Sequence, residues 1–228
     1  NKSVYFIYAA PNGDIYAGGS SGNLMKSTDD GDNWETVEVN SSMTIYGMSI
    51  FSNGMGWLGG SSGRWCVSQT TTLDTFEQVA DYGYMSFKEA EERNGIILVA
   101  AGDDIYKTTP DNLDTMISVF DIPSSHDAYA IEFIIDTLVY VAGQDGEIFV
   151  SKDAGVTWEQ EPCGTEDYLY DLKFDGEKLW AVGKYATIMS RDILFAKADF
   201  TEEFADGDAD LTWFENSAGA NSGGLNLT

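Results

Sequence analysis

The chain has 228 residues, of which 38 are Asp or Glu and 12 are Lys or Arg, so its formal net charge is −26. This charge repels phosphates and anionic lipid headgroups, whose binding depends on Lys and Arg, and it argues against nucleic acid and membrane surfaces as partners. With 43% hydrophobic residues the chain can still bury a sizeable core, so we predict one folded domain. An acidic, lysine-poor surface stays soluble at high salt, which favours an extracellular, extracytoplasmic or virion setting.

No apolar run approaches the roughly 18 residues that a membrane-spanning helix needs, so we expect no membrane insertion. The chain has two cysteines, Cys66 and Cys163. They could pair in an oxidising compartment, but two cysteines do not make a disulfide framework. We expect both to be buried free thiols.

A short segment that is rich in apolar and aromatic residues and closed by glycine occurs five times. Its copies are Ile15–Gly19, Gly56–Gly60, Leu98–Gly102, Val139–Gly143 and Leu179–Gly183. The closing glycines are 41, 42, 41 and 40 residues apart. Each copy has the composition of a buried strand that ends at a turn, and the regular spacing indicates a repeat architecture.

A second element precedes each copy and begins with a tyrosine. The tyrosines assigned to this position are Tyr5, Tyr46, Tyr84, Tyr129 and Tyr170. Alternating apolar residues follow, as in Tyr129–Phe133, and this period of two predicts a strand. Turn formers such as Ser52–Gly54 separate the two strands and favour tight hairpins. The third copy has a longer, charged connection, Lys88–Gly95, which we expect to project as a loop.

A third strand and a tight turn follow, and two of these turns share the spacing S-x-D-x-G-x-[TN]-W. The residues concerned are Ser27, Asp29, Gly31 and Trp34 in the first copy, and Ser151, Asp153, Gly155, Thr157 and Trp158 in the fourth. Thr109–Met116, with Asp111 at the third position, is a decayed version. The pattern resembles the Asp-box, or BNR, repeat of bacterial sialidases, some glucan hydrolases, sortilin-type receptors and photosystem II stability-factor-like propellers. The segment Trp180–Gly183 looks most like the last group.

The chemistry of this turn is structural. Its Asp can accept backbone N–H bonds across the hairpin, its Gly supplies a left-handed backbone, and its Trp packs beneath the turn. In the families that the pattern resembles, the turn lies on the outer rim of a blade, away from the catalytic face. The resemblance therefore does not indicate sialidase activity.

Five copies of a four-stranded unit predict an all-β fold, a β-propeller, because such a sheet buries its faces only by stacking radially on its neighbours. We expect a closed disk of five blades, at residues 1–41, 42–81, 82–124, 125–166 and 167–215. Part of a six- or seven-bladed propeller is the alternative. The last copy departs from the pattern, and we infer an insertion from about residue 193 to 206. Residues 216–228, rich in Gly, Ser and Asn, are typical of a tail or linker.

Catalytic chemistry has little support, and we predict no catalytic residues. A sialidase clamps its substrate with three arginines, whereas Arg64, Arg93 and Arg191 lie in positions that cannot plausibly converge. The single histidine, His126, is expected at the surface, and no Ser or Cys lies in a nucleophile context.

A glycoside hydrolase that uses carboxylates of the central pocket is the alternative function. Glu132, Asp171 and Asp127 fall on or near the first strands of their copies, where that pocket would lie. Carboxylates that are solvated or bonded to the backbone also account for these acids.

The repeated tyrosines form the candidate ligand face. In one interpretation they pack between blades with their hydroxyl groups at the wet channel mouth, and in the other they form an aromatic platform for a sugar or a peptide. Asp206, Asp208 and Asp210 space three carboxylates at alternate positions, as calcium loops do, although an exposed acidic loop has the same pattern. Calcium is the one cofactor that the sequence suggests.

These features together predict a non-catalytic binding or assembly module that recognises a protein or glycan partner, as an extracytoplasmic or virion-associated structural component. A partner that engages by charge is expected to be basic or bridged by cations, because the chain is so acidic.

Overall fold

The computed structural model describes residues 2–68, 70–193 and 214–215. These residues form twenty β-strands and three 3₁₀ turns of three residues each, and no longer helix occurs among them. The predicted all-β class is thereby confirmed. Within the same ranges, no helix has the length and apolar character needed to cross a membrane. The candidate calcium ligands Asp206, Asp208 and Asp210, the inferred insertion after residue 193 and the tail at 216–228 lie outside the described residues.

The strands follow one another in groups of four, which we call units one to five. Unit one contains β1 (Val4–Ala9), β2 (Ile15–Gly19), β3 (Leu24–Ser27) and β4 (Glu35–Asn40). Unit two contains β5 (Ile45–Ile50), β6 (Gly56–Gly60), β7 (Arg64–Ser68) and β8 (Thr75–Asp81). Unit three contains β9 (Phe87–Arg93), β10 (Ile96–Ala101), β11 (Asp104–Thr108) and β12 (Ile117–Asp121). Unit four contains β13 (Ala128–Phe133), β14 (Val139–Gly143), β15 (Ile148–Ser151) and β16 (Glu159–Glu161). Unit five contains β17 (Leu169–Phe174), β18 (Lys178–Gly183), β19 (Ile188–Asp192) and β20 (Phe214–Glu215).

Consecutive strands of each unit pair antiparallel, and the first two units share one sheet. Units three, four and five are separate four-stranded sheets, whereas β4 and β8 pair in parallel and join units one and two into eight strands. The junction places Val39 opposite Phe76 and Asn40 opposite Glu77. A side-chain hydrogen bond from Ser41 to Gln78 (3.1 Å) adds to it. This parallel contact between outer strands was not predicted from the sequence.

The hydrophobic core lies between the units rather than within any one of them. Four clusters of buried side chains fill the spaces between successive units, and each draws residues from both neighbours. Trp57 and Trp65 of unit two, for example, pack against Phe87 and Tyr106 of unit three. Because each sheet is apolar on the faces that meet its neighbours, the units stack side by side with β1, β5, β9, β13 and β17 innermost. This radial stacking is the arrangement of a propeller.

The outward faces of the first and last units are less well covered. Ile7 on β1 is 73% exposed, and Val182 and Ile188 of unit five are 40% and 44% exposed. Among the described residues, no hydrophobic cluster joins unit five to unit one.

The charged stretch of the third copy is a strand, so the prediction of a projecting loop at Lys88–Gly95 is wrong. Residues up to Arg93 form β9, and Asn94 and Gly95 make the tight turn to β10 with φ values of 51° and 75°. Such positive φ values at two central residues are typical of the Asn-Gly hairpin turn. Phe87 and Ala90 face the core, and the charged side chains of Glu89, Glu91, Glu92 and Arg93 are accommodated in the strand because they border a cavity.

The two S-x-D-x-G turns have the hydrogen bonds predicted for them. Asp29 accepts from the backbone and side chain of Asn33 at 2.8 and 2.7 Å. Asp153 accepts in the same way from the backbone N–H and hydroxyl group of Thr157, at 2.8 and 2.5 Å. The glycine of each turn is left-handed, as Gly155 shows with a φ of 83°.

The two tryptophans of these turns differ in burial. Trp34 is 38% exposed, and its indole N–H donates to the carbonyl of Gly31 at 2.9 Å. Trp158 is half-buried and stacks on Phe120 with ring centroids 5.5 Å apart. The predicted packing beneath the turn therefore applies to Trp158 more fully than to Trp34.

The assignment of Asp111 to the third position of a decayed turn is wrong by one residue. Thr108 ends β11 as Ser27 ends β3 and Ser151 ends β15, so Thr108 occupies the serine position and Pro110 the aspartate position. The Thr108 hydroxyl donates to the carbonyls of Asn112 (2.7 Å) and Thr115 (2.9 Å) instead.

The two cysteines are buried free thiols, as predicted. Cys66 lies on β7 and Cys163 follows β16, so they belong to different units. Burial raises the pKa of the Cys66 thiol to about 12.

Candidate functional site

The inner strands begin at one opening of the propeller, and four of them begin with a tyrosine near their first residue. The equivalent positions are Tyr5, Tyr46, Lys88, Tyr129 and Tyr170, which follow one another at 41, 42, 41 and 41 residues. Tyr84 does not belong to this set, which corrects the sequence prediction. It lies in the connection before β9 and is fully exposed. Lys88, and not Tyr84, occupies this position in the third copy.

Lys88 lies between two of these tyrosines. Its ammonium group is 3.8 Å from the centroid of the Tyr46 ring and 5.6 Å from that of Tyr129, both within the range of a cation–π interaction. Tyr46 also meets Tyr5 edge to face at 6.0 Å. Burial lowers the pKa of Lys88, and the nearby Asp127 carboxylate opposes this effect.

The aromatic surface continues into unit five. Tyr129 is 6.2 Å from Tyr168 and 5.5 Å from Tyr170, measured between ring centroids. The ammonium group of Lys184 lies 4.8 Å from the rings of both Tyr168 and Tyr185. We call this continuous surface the tyrosine–lysine track, which consists of Tyr5, Tyr46, Lys88, Tyr129, Tyr168, Tyr170, Lys184 and Tyr185.

Several rings of the track are open to solvent although they are held in place. Tyr5, Tyr170 and Tyr185 are 57%, 49% and 79% exposed. The hydroxyl group of Tyr129 accepts a hydrogen bond from the side chain of Gln144 at 2.9 Å, which fixes that ring. The rings therefore pack on one another, and several of them still present a face to solvent.

A cavity of about 670 Å³ lies further along the inner strands. Its lining includes Tyr8 of unit one and a group of charged side chains from units three, four and five. These are Glu89, Glu91, Glu92, Arg93, Glu132, Asp171 and Lys173. The structure thus brings together Glu132 and Asp171, which the sequence suggested, with two half-buried acids that it did not, Glu89 and Glu91.

Most of these side chains join one inner strand to the next. The bonds run from Ile50 N–H to Tyr8 OH (3.2 Å), from the Ser49 hydroxyl to the Ala90 carbonyl, from Ile131 N–H to Glu89 (2.9 Å), from Phe133 N–H to Glu91 (2.6 Å) and from Phe174 N–H to Glu132 (3.0 Å). We call them the inter-unit hydrogen bonds. They supply partners for backbone groups on the inner edge of each sheet, where the next strand of a ladder is missing.

The cavity changes the protonation of its carboxyl groups. Burial, and after it the nearby Glu132 carboxylate, raise the pKa of Glu91 to about 8. Burial also raises the pKa of Glu89 well above its usual value and, less strongly, those of Glu132 and Asp171. The ammonium group of Lys173 lies 3.0 Å from Glu132 and favours the ionised form of that carboxyl group. A carboxyl group with a strongly raised pKa, such as Glu91, beside a second carboxyl group that has a cation as its partner is a combination that acid–base chemistry can use.

The described residues contain no group of three or more His, Cys, Asp or Glu side chains arranged to hold a metal ion. The three arginines do not converge on one ligand, because each pairs with a different acid. Arg64 lies near Asp81 (3.7 Å), Arg93 pairs with Asp136 (3.0 Å), and Arg191 pairs with Glu161.

His126 is half-buried rather than fully at the surface. Its two ring nitrogens lie 3.5 Å from Asp145 and from Glu147.

Two parts of this site could have been found in the sequence by spacing alone. Counting 42 residues from Tyr46 reaches Lys88, and counting 42 from Ser49 reaches Glu91. The charged composition of the segment concealed its equivalence to the other inner strands.

Comparison with known proteins supports the fold and does not identify a family. No family model matches the chain, and no curated protein matches it either. Solved structures do match: "YCF48 bound to D1 peptide" superposes with a TM-score of 0.67 at 17% identity, over 86% of this chain and 65% of that chain. The WD40 β-propeller domain of Doa1 gives 0.64 at 10% identity, over 84% of this chain and 66% of that one. An ancestral GH74 enzyme gives 0.65 at 15% identity, over 96% of this chain and 31% of that one.

Identities this low establish the fold alone, which is a β-propeller. The chain spans slightly less than two thirds of the YCF48 chain in the peptide complex.

Proposed function

We propose that this chain is a non-catalytic β-propeller that binds a protein partner through the tyrosine–lysine track. The observation that carries the proposal is the exposure of Tyr5, Tyr170 and Tyr185 on a surface whose side chains contact one another. Tyrosine offers a large contact area at a small cost in conformational entropy, and for this reason it is enriched in protein-binding surfaces. A protein partner is favoured over a glycan because the track also carries two cations.

The solved neighbours make the proposal reasonable without carrying it. YCF48, which has the same fold, has been solved with a D1 peptide, so a propeller of this kind can hold a peptide. We further propose that the five units are the five blades of this propeller and that the turns at Asp29 and Asp153 are Asp-box turns on its rim. The acidic composition favours a location outside the cytoplasm.

A glycoside hydrolase is the second candidate. The pairing of Glu91, whose pKa is about 8, with Glu132 supports it, because such hydrolases need one protonated and one ionised carboxyl group. It ranks second because both carboxyl groups already accept backbone N–H bonds from the next unit. Those bonds account for both acids without a substrate.

Photocrosslinking tests the proposed function. A photoreactive amino acid at Tyr185 on the track is compared with one at Ile117, which is similarly exposed (71%) but lies on the outer strand β12. In extracts of the source cells, we expect a defined protein adduct from position 185 and none from position 117. Adducts at position 117 alone, or at neither position, would contradict the proposal.

A panel of glycosides tests the alternative. We expect no turnover by the parent protein. Turnover that is lost in Glu132→Gln or Asp171→Asn, with the melting temperature unchanged, would establish the hydrolase instead.

A further inference from the structure

The lysines of the track differ from most other lysines of the protein in what holds them. Four lysines of the described chain form ion pairs with carboxylates: Lys26 with Asp14, Lys152 with Glu159, Lys173 with Glu132 and Lys178 with Asp192. Lys88 and Lys184 form no ion pair within 4.0 Å among the described residues, and both lie over tyrosine rings instead. Lys2 and Lys107 also form no ion pair within 4.0 Å among the described residues, so the contact with tyrosine rings at the opening is what distinguishes Lys88 and Lys184.

The position of Lys88 leaves its ammonium group incompletely satisfied. An ammonium group has three N–H donors, and a ring face attracts the charge without accepting a full hydrogen bond. The Lys88 side chain is half-buried, and its ammonium group donates no hydrogen bond to an acceptor among the described residues. A ligand that brings a carboxylate to Lys88 would provide the missing acceptor in surroundings where a charge-assisted hydrogen bond is strong.

The net charge of −26 does not prevent an anion from binding here. At physiological ionic strength the Debye length is about 8 Å, so distant carboxylates act weakly on a ligand at the track. The nearby acid that acts on Lys88 is Asp127. At Lys88 one cation therefore faces one nearby carboxylate, a local setting that differs from the net charge of the whole chain, from which a basic partner was predicted.

We propose that the tyrosine–lysine track binds an extended acidic peptide segment of its partner, with carboxylates paired to Lys88 and Lys184 and with apolar or aromatic side chains stacked on the intervening tyrosines. The alternation of rings and cations along Tyr46, Lys88, Tyr129, Tyr168 and Lys184 defines this pattern. The inference rests on the proposed function, because it names the chemistry of the partner for the same surface.

Selection from a displayed library of random short peptides tests the inference. The parent protein is compared with the double variant Lys88→Met, Lys184→Met. The control is Lys152→Met, which also removes a lysine charge but does so at an exposed ion pair on another turn. We expect the parent and the control to enrich peptides that combine Asp or Glu with aromatic or apolar residues, and the double variant to lose that enrichment. Melting temperatures of all three proteins show whether the fold is intact.

Affinity measurements on one selected peptide sharpen the test. Lys88→Met in the protein, or Asp→Asn in the peptide, should each weaken binding about ten- to a hundredfold, which is the range of a hydrogen bond to a charged group. The two changes together should weaken it little more than either alone, because they remove the same contact.

The remaining outcomes separate the two proposals. Enrichment of basic or uncharged peptides on the track would overturn this inference and leave the proposed protein-binding function in place. The same would follow if the double variant enriched the same acidic peptides as the parent. Binding of acidic glycans with no peptide enriched would overturn both.

Discussion

Replacement of Glu91 by glutamine should stabilise the protein at neutral and alkaline pH. Glu91 lies in the central cavity, where burial and the Glu132 carboxylate raise its pKa to about 8 from an ordinary value of 4.5. Glutamine keeps a side-chain oxygen that can accept the N–H of Phe133 and removes the charge that the cavity disfavours. The gain in stability should appear only at pH values at which the carboxyl group of Glu91 would be ionised in the unfolded chain.

The magnitude follows from linkage between proton binding and folding. A group whose pKa is raised in the folded state contributes stability that is fully present below its unfolded pKa and is lost as the pH rises through its folded pKa. Between about pH 5 and pH 8 the folded protein holds nearly one more proton at Glu91 than the unfolded chain, which corresponds to about 1.4 kcal/mol per pH unit. Because Glu91 keeps some contact with solvent, we reduce this to about 1 kcal/mol per pH unit.

Glu89, Glu132 and Asp171 act in the same direction, because their pKa values are also raised. The parent should therefore be more stable at pH 5 to 6 than at pH 8. The variant should exceed the parent by about 2 to 3 kcal/mol at pH 8 and by little at pH 5.

Urea unfolding at a series of pH values measures the free energy of unfolding of both proteins. Glu92→Gln is the matched control, because the Glu92 carboxylate lies on the same strand but accepts bonds from Ser52 in exposed surroundings. The control should keep the pH slope of the parent. If Glu91→Gln also kept that slope, or lost stability equally at every pH, the assignment of Glu91 as a cavity carboxyl group with a raised pKa would be refuted.

Three further predictions concern packing and thiol chemistry. Gly47→Ala should lower the free energy of unfolding by about 3 kcal/mol, because the added Cβ would lie 2.2 Å from the carbonyl oxygen of Lys88. Gly95→Ala should lower it by only about 1 kcal/mol, because the added Cβ would have no neighbour within 4 Å and the cost comes from the positive φ alone. Similar losses for the two variants in urea unfolding would contradict this reasoning. Trp158→Ala should lower the free energy of unfolding by about 2 to 4 kcal/mol in the same measurement, because the indole packs on the neighbouring unit. A loss of ligand binding with unchanged stability would show that the role of Trp158 is not structural. The thiol of Cys66 should react with Ellman's reagent only after unfolding, because it is buried and its pKa is about 12. Rapid reaction of this thiol in the native protein would count against its burial.

The second strands of units one to four could be predicted from sequence because they are buried on both faces. Ile15–Gly19 and Val139–Gly143 are strands with the bounds that their composition indicated, and in each the closing glycine allows a close approach. A Cβ on Gly19 would lie 1.9 Å from the carbonyl oxygen of Ser3, and one on Gly143 would lie 2.3 Å from that of Asp127. Burial and crowding restrict these segments to apolar residues and glycine, and the repeat period can be read from the positions of those residues.

The inner strand of unit three could not be predicted in the same way. Its residues Lys88, Glu89, Glu91 and Glu92 have the composition of a surface loop, and their strand conformation depends on partners in units two and four. Glu89 and Glu91 accept N–H groups about 42 residues further along the chain. A local window contains neither partner, so only alignment with the other copies could have indicated a strand. The parallel pairing of β4 with β8 is unpredictable for the same reason.

The architecture itself separates the polar residues that hold the propeller from those that are free to bind. An inner strand is the edge of its sheet, and the unpaired N–H groups of such an edge need acceptors that no further strand supplies. In this protein Tyr8, Glu89, Glu91 and Glu132 supply them, so acids in the centre are a consequence of stacking sheets around a channel. Lys88 lies near the start of the same strand as two of these acids, but among the described residues its ammonium group donates no hydrogen bond to a neighbouring unit and lies over tyrosine rings at the opening. Its place in the repeat is thus not explained by the needs of the fold, and this is why recognition is assigned to the opening rather than to the acidic cavity.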